Sequence, residues 1–116
     1  MMRASSRSAL AALMLAHAAL VLNAAEVTFV LPIENGRVPE NLHRIRVHQN
    51  DVVTLKWSSD RPIKIHLHGY DVEKEVKPGA VTEMTFTARA TGRFAIESHA
   101  SSGAHSPPLV TLEVYP

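Results

Sequence analysis

The chain has 116 residues, 46% of them hydrophobic, with 12 Lys and Arg against 11 Asp and Glu and no cysteine. That length fits one domain, and the balanced charge, without a cluster of cations, argues against a nucleic-acid partner. The missing cysteines exclude disulfides, thiolate metal ligands and a cysteine nucleophile.

Residues 1–8 carry Arg3 and Arg7 among serines, and Ala9 to Leu22 is apolar apart from His17. A basic start before a short apolar run is the pattern of a secretory signal peptide, and it is too short for a membrane span. Cleavage is expected after Ala24 or Ala25 in "LNAAEV", leaving a domain of residues 26–116 in the periplasm or outside the cell, with no membrane attachment. Without Arg3 and Arg7, ten basic residues face eleven acidic ones, and the net charge of +1 becomes −1.

Beyond the signal, apolar and polar residues alternate with the period of two that marks strands. "EVTFVLP" (Glu26–Pro32) puts Val27, Phe29 and Leu31 on one face. "ENGRVPENLH" is a turn-rich loop signalled by Asn35-Gly36, and a helical turn fits only around Val38 to His43. "RIRVHQ" (Arg44–Gln49) sets Ile45 and Val47 against Arg44, Arg46 and His48. "DVVTLKWSS" aligns Val53, Leu55 and Trp57, and after "SDRP" Ile63, Ile65 and Leu67 form the next buried edge. "KPG" turns into "AVTEMTFTA", where Met84 and Phe86 alternate with Thr85 and Thr87. "RFAIES" and "PPLVTLEVYP" follow, separated by the long loop "SHASSGAHSPP" (Ser98–Pro108). Seven or eight short strands without an amphipathic helix predict an all-β fold, a small antiparallel β-sandwich.

Six histidines follow the signal segment: His43, His48, His66, His68, His99 and His105. On a strand "IKIHLH", Ile63, Ile65 and Leu67 turn to the core while Lys64, His66 and His68 share the other face. Two imidazoles at i and i+2 are then neighbours within reach of one ion. Glu97 and His99 repeat that spacing at the end of "FAIESH", with Phe94 and Ile96 on the core side, and His105 follows in the loop. If the strands ending at His68 and His99 finish at the same pole, imidazoles from separate segments converge there. Neutral imidazole suits Cu(II), Zn(II) and Ni(II), copper binding most tightly. His66, His68, His99 and His105 are therefore candidate ligands, with Glu97 and His48 as an extra ligand or an orienting group. The same residues also suit an ordinary solvated strand face beside Lys64, and His43 and His48 read as surface residues.

Taken in order, "IRVHQNDVVTLKWSSDRPIKIHLHGYD", "KPG", "MTFTARATGRFAIESH" and "LVTLEVYP" resemble a cupredoxin. In detail they are similar to the small bacterial cupredoxin-like domains of periplasmic iron-uptake proteins. The resemblance implies a Greek-key β-sandwich. It also implies an upstream ligand at His68, or at His66, and a downstream one in the loop at His105. The family's cysteine position falls on Ser98 or His99, and no methionine follows in the loop. A blue copper centre depends on its copper–thiolate bond, so a centre of imidazoles suits holding or handing on a metal better than fast electron transfer.

The expected function is an exported protein that binds copper, or alternatively zinc, for storage, delivery or resistance, with a periplasmic metal donor or acceptor as partner. The competing reading is a metal-free scaffold, its site degenerate, serving as a binding or accessory module of a transport system. An enzyme is the weakest expectation, because Glu97, Ser98 and His99 are adjacent on a strand and do not form a triad.

Overall fold

The computed structural model describes residues 24–99 and 107–116. The signal-peptide reading and His105 fall outside them. Eight strands and one 3₁₀ turn follow in order: β1 (Glu26–Ile33), the turn at Glu40–Leu42, β2 (Arg44–His48), β3 (Val52–Ser59), β4 (Ile63–Leu67), β5 (Val72–Val76), β6 (Thr82–Thr87), β7 (Gly92–His99) and β8 (Val110–Tyr115). They make a sandwich of a three-stranded sheet, β1-β3-β6, and a five-stranded sheet, β2-β8-β7-β4-β5. The β-sandwich stands as expected, but each sheet contains one parallel pair, β1 with β3 and β2 with β8. Side-chain alternation is the same in parallel and antiparallel strands, so periodicity carries no sign of strand direction.

The core is the apolar half of each alternation. Val53, Leu55 and Trp57 of β3, Ile65 and Leu67 of β4, and Ile96 of β7 have no exposed surface, and Leu112 and Val110 of β8 join them. The expected helical turn is the 3₁₀ turn at Glu40–Leu42. β5 is the strand that alternation does not signal: Glu73, Lys74 and Glu75 are all exposed, and only Val76 is fully buried. It is an edge strand, where charged side chains protect an unpaired edge.

The turn from β4 to β5 positions the site. Gly69 and Asp71 both have positive φ, 87° and 56°. The chain therefore reverses within His68–Asp71 and Leu67 pairs with Val72. Beneath the turn, Tyr70 packs against the rings of Phe86 and Phe94, and its hydroxyl donates to the Ala90 carbonyl at 2.7 Å. A Cβ on Gly69 would run into the Phe94 ring, whereas one on Gly79 (φ 79°) would meet nothing. Gly69→Ala is therefore expected to cost more than Gly79→Ala. The latter should lose only the left-handed backbone preference, about 1 kcal/mol. The former should lose that plus the displaced aromatic packing, about 2–4 kcal/mol in total, compared by urea unfolding of the two variants.

Candidate metal centre

One face of the five-stranded sheet covers the core, and the other is polar across its width. Antiparallel pairing of β4 with β7 sets Lys64 opposite His99 and His66 opposite Glu97. Pairing of β4 with β5 sets His66 opposite Glu73. Residues opposite one another share a face, so His66 stands in a row between two glutamates. His68, one residue past β4, continues the pairing through its backbone N–H, which donates to the Ala95 carbonyl at 3.0 Å.

Three of the candidate histidines meet on this face. The rings of His66 and His68 have centroids 4.2 Å apart, and those of His66 and His99 are stacked at 5.5 Å. His99 Nε2 lies 3.5 Å from His66 Nδ1. Carboxylates take the outward nitrogens: His68 Nε2 is 3.0 Å from Glu97 Oε2, and His66 Nε2 is 3.7 Å from Asp71 Oδ1. His66 is the most sheltered, with 20% of its side chain exposed against 44% for His68. As they stand, no three His, Asp or Glu side chains among the described residues surround a common point suited to one ion. The contacts are pairwise, imidazole to imidazole and imidazole to carboxylate.

The meeting place is not a pole. β4 and β7 are antiparallel, so the strand ending at His68 and the strand ending at His99 finish at opposite ends of the sheet. The rings meet because residues 66 and 99 are diagonal neighbours across the pair. The loop after β7 leaves at the Ile63–Lys64 end of β4, so the end carrying His68 is the one remote from it. At the loop's end lies a cleft lined by His43, Arg61, Lys64, His99 and Leu109, where His43 Nε2 is 3.0 Å from the Val38 carbonyl oxygen. His48 stands apart. It closes β2, opposite Tyr115, three strands from β4 and so about 14 Å away across the sheet. It is neither a neighbour of these rings nor in contact with Glu97. Asp71 is the nearby residue that sequence reasoning did not include. Its left-handed backbone in a Gly-Tyr-Asp turn is the one sign of it.

A second polar cluster shares the face. Glu113 of β8 lies directly between Arg46 of β2 and Arg93 of β7. The Nε atoms of Arg44, Arg46 and Arg93 lie 3.2, 3.1 and 3.6 Å from its carboxylate oxygens. The Tyr115 hydroxyl donates to Oε2 at 2.7 Å, and the Arg46 guanidinium covers the Tyr115 ring. Glu113 is only 3% exposed.

The sequence matches no family model and no curated protein. Solved structures do match. The periplasmic domain of subunit II of cytochrome oxidase (CoxB) of Bradyrhizobium japonicum superposes with a TM-score of 0.61 at 18% identity, over 75% of this chain and 82% of that one. The fold is cupredoxin-like. A heme-copper terminal oxidase aligns at TM-score 0.63 and 18% identity, over 75% of this chain and 63% of its own. A blue copper oxidase from Nitrosomonas europaea aligns at 0.62 and 22%, over 78% and 39%. This cupredoxin-like chain thus spans less than two thirds of either oxidase, and at such identities the likeness is one of fold. Among its described residues no helix is long and apolar enough to cross a membrane.

The Tyr115 hydroxyl bond first, and the three guanidiniums next, hold the Glu113 carboxyl below the usual carboxylate range. A carboxyl depressed by folding contributes stability that is complete above its unfolded pKa, about 4.5. That contribution fades as pH falls through the lower folded value. Glu113→Gln is therefore expected to lower the melting temperature at pH 7 and to flatten its decline between pH 5 and pH 2. Thermal unfolding across that range measures both.

Proposed function

We propose that the chain is an exported protein of cupredoxin fold that holds copper through imidazole nitrogens and stores, delivers or sequesters it. In this reading it is not an enzyme, and a periplasmic metal donor or acceptor is its partner. The observation that carries the reading is the 3.5 Å between His66 Nδ1 and His99 Nε2. As a hydrogen bond that distance lies beyond the useful range. As a separation of two ligands it is ordinary, because nitrogens each bound at about 2.0 Å to one ion lie no more than about 4 Å apart.

The donor chemistry agrees. Imidazoles flanked by carboxylates suit Cu(II) first and Zn(II) second, and the chain has no thiolate to offer. His68 is the nearest further donor, since Glu97 on Nε2 fixes its tautomer and leaves Nδ1 with a lone pair. His105 remains a candidate from the loop. Glu97 and Asp71 have the role of carboxylates that orient a ligating imidazole. The solved structures named above include a heme-copper oxidase and a blue copper oxidase, which adds copper as a property of those proteins and supports the choice of ion here.

Calorimetry and paramagnetic resonance of the metal-stripped protein titrated with Cu(II) and Zn(II) test this. Copper should bind more tightly, show nitrogen hyperfine coupling, and give no intense thiolate charge-transfer band. His66→Ala and His99→Ala should each weaken binding at least tenfold, and Glu97→Gln about tenfold, while His48→Ala should not change it. A hundredfold excess of copper over its Kd should stabilise the native state by about 2.7 kcal/mol. Unaltered affinity in the His66→Ala, His99→Ala double variant, or a melting temperature indifferent to both metals, would leave a metal-free scaffold.

A further inference from the structure

We propose that the three arginines over Glu113 form a docking surface for an acidic segment of a partner protein. One guanidinium neutralises one buried carboxylate, yet Arg44, Arg46 and Arg93 all converge on Glu113. Two positive charges are therefore in excess at one spot of a nearly neutral chain. Arg46 Nε donates a hydrogen bond to Glu113 Oε2, and the Nε atoms of Arg44 and Arg93 lie within ion-pair distance of Oε1; the three side chains are 64%, 61% and 75% exposed. Among the described residues no acceptor other than Glu113 engages these three groups.

The anchoring matters for affinity. A free arginine loses much rotamer entropy on binding, but Arg46 is already held by its bond to Glu113 and by the Tyr115 ring, and Arg44 and Arg93 are drawn toward the same carboxylate. Guanidinium edges on a rigid sheet match carboxylates two donors at a time. The occupant that fits by charge is a peptide segment rich in Asp and Glu. The far side of the face carries Glu73, Glu97 and Asp71, which would repel such a segment and so fix its placement over β2 and β8. Arg93 and Glu97 are four residues apart on one face of β7, about 13 Å. A protein docked on the arginines would thus border the histidine cluster without covering it. The docking surface does not depend on metal being bound there.

A ten-residue oligoglutamate peptide is the probe. Nitrogen-15 spectra of the full protein should show saturable shifts confined to the Nε–Hε groups of Arg44, Arg46 and Arg93 and to neighbouring amides of β2 and β8, weakening steeply with salt. Arg44→Gln and Arg93→Gln, which leave two guanidiniums on Glu113, should each reduce affinity about threefold. Because these readouts use no metal, they can fail while copper binding by His66 and His99 stands, and the reverse also holds. Shifts spread over other lysines and arginines would overturn the proposal. So would equal affinity for vesicles of anionic lipid, or the same arginine shifts arising from protein concentration alone, which would make a second copy the occupant.

Discussion

The antiparallel register of β4 against β7 decides where the histidines and their carboxylates stand. Ile65 and Leu67 face the core with Ile96, and burial of those three side chains leaves no freedom to slide. A slip of one residue would carry the apolar set to water and the histidines into the core, at roughly 1.5–3 kcal/mol for each apolar side chain exposed. His66 opposite Glu97, and His99 one diagonal step away, are therefore consequences of core packing. Their geometry is as rigid as the core beneath it, although no contact among the imidazoles themselves is strong.

Without disulfides, that rigidity comes from packing and from the way the sheets are wired. The two parallel pairs, β1 with β3 and β2 with β8, cannot be closed by tight hairpins. They tie chain segments distant in sequence, so β8 closes the five-stranded sheet only after β7 and the loop beyond it. The turn at His68–Asp71 connects core to surface more directly. Tyr70 and Phe94 pack beneath it, Gly69 leaves space for the ring, and Asp71 returns its carboxylate toward His66. Core, turn and polar face are one mechanical unit at this place.

Much of this can be read from residues alone, and the failures have physical causes. Val53, Leu55 and Trp57 or Ile65 and Leu67 alternate cleanly because they line a sheet with one buried face. β5 escapes because "VEKEV" is an edge strand whose charged middle looks like a loop. The i, i+2 spacing of His66 and His68 correctly gives a shared face. Which end of the sheet that face adjoins depends on strand direction, and direction leaves no mark on periodicity. Glu113 shows the converse. It occupies an outward position of "VTLEVYP" and looks solvated, yet arginines from β2 and β7, distant in sequence, bury it.

The outward face carries two rows built on opposite plans. On one, His66 stands between Glu97 and Glu73. On the other, Glu113 stands between Arg46 and Arg93. A central group that gains charge of one sign is flanked each time by charges of the other, but the two rows differ in what is left over. Around His66 the surplus is negative and imidazole lone pairs accompany it, a setting that attracts cations and offers them nitrogen donors. Around Glu113 the surplus is positive and consists of hydrogen-bond donors, which repel cations and attract carboxylates. The nearest charges of the two rows, Arg93 and Glu97, are about 13 Å apart along β7, beyond the screening length of about 8 Å at physiological salt, so each row presents its own field to solvent. One rigid sheet thus presents two polar surfaces of opposite sign side by side.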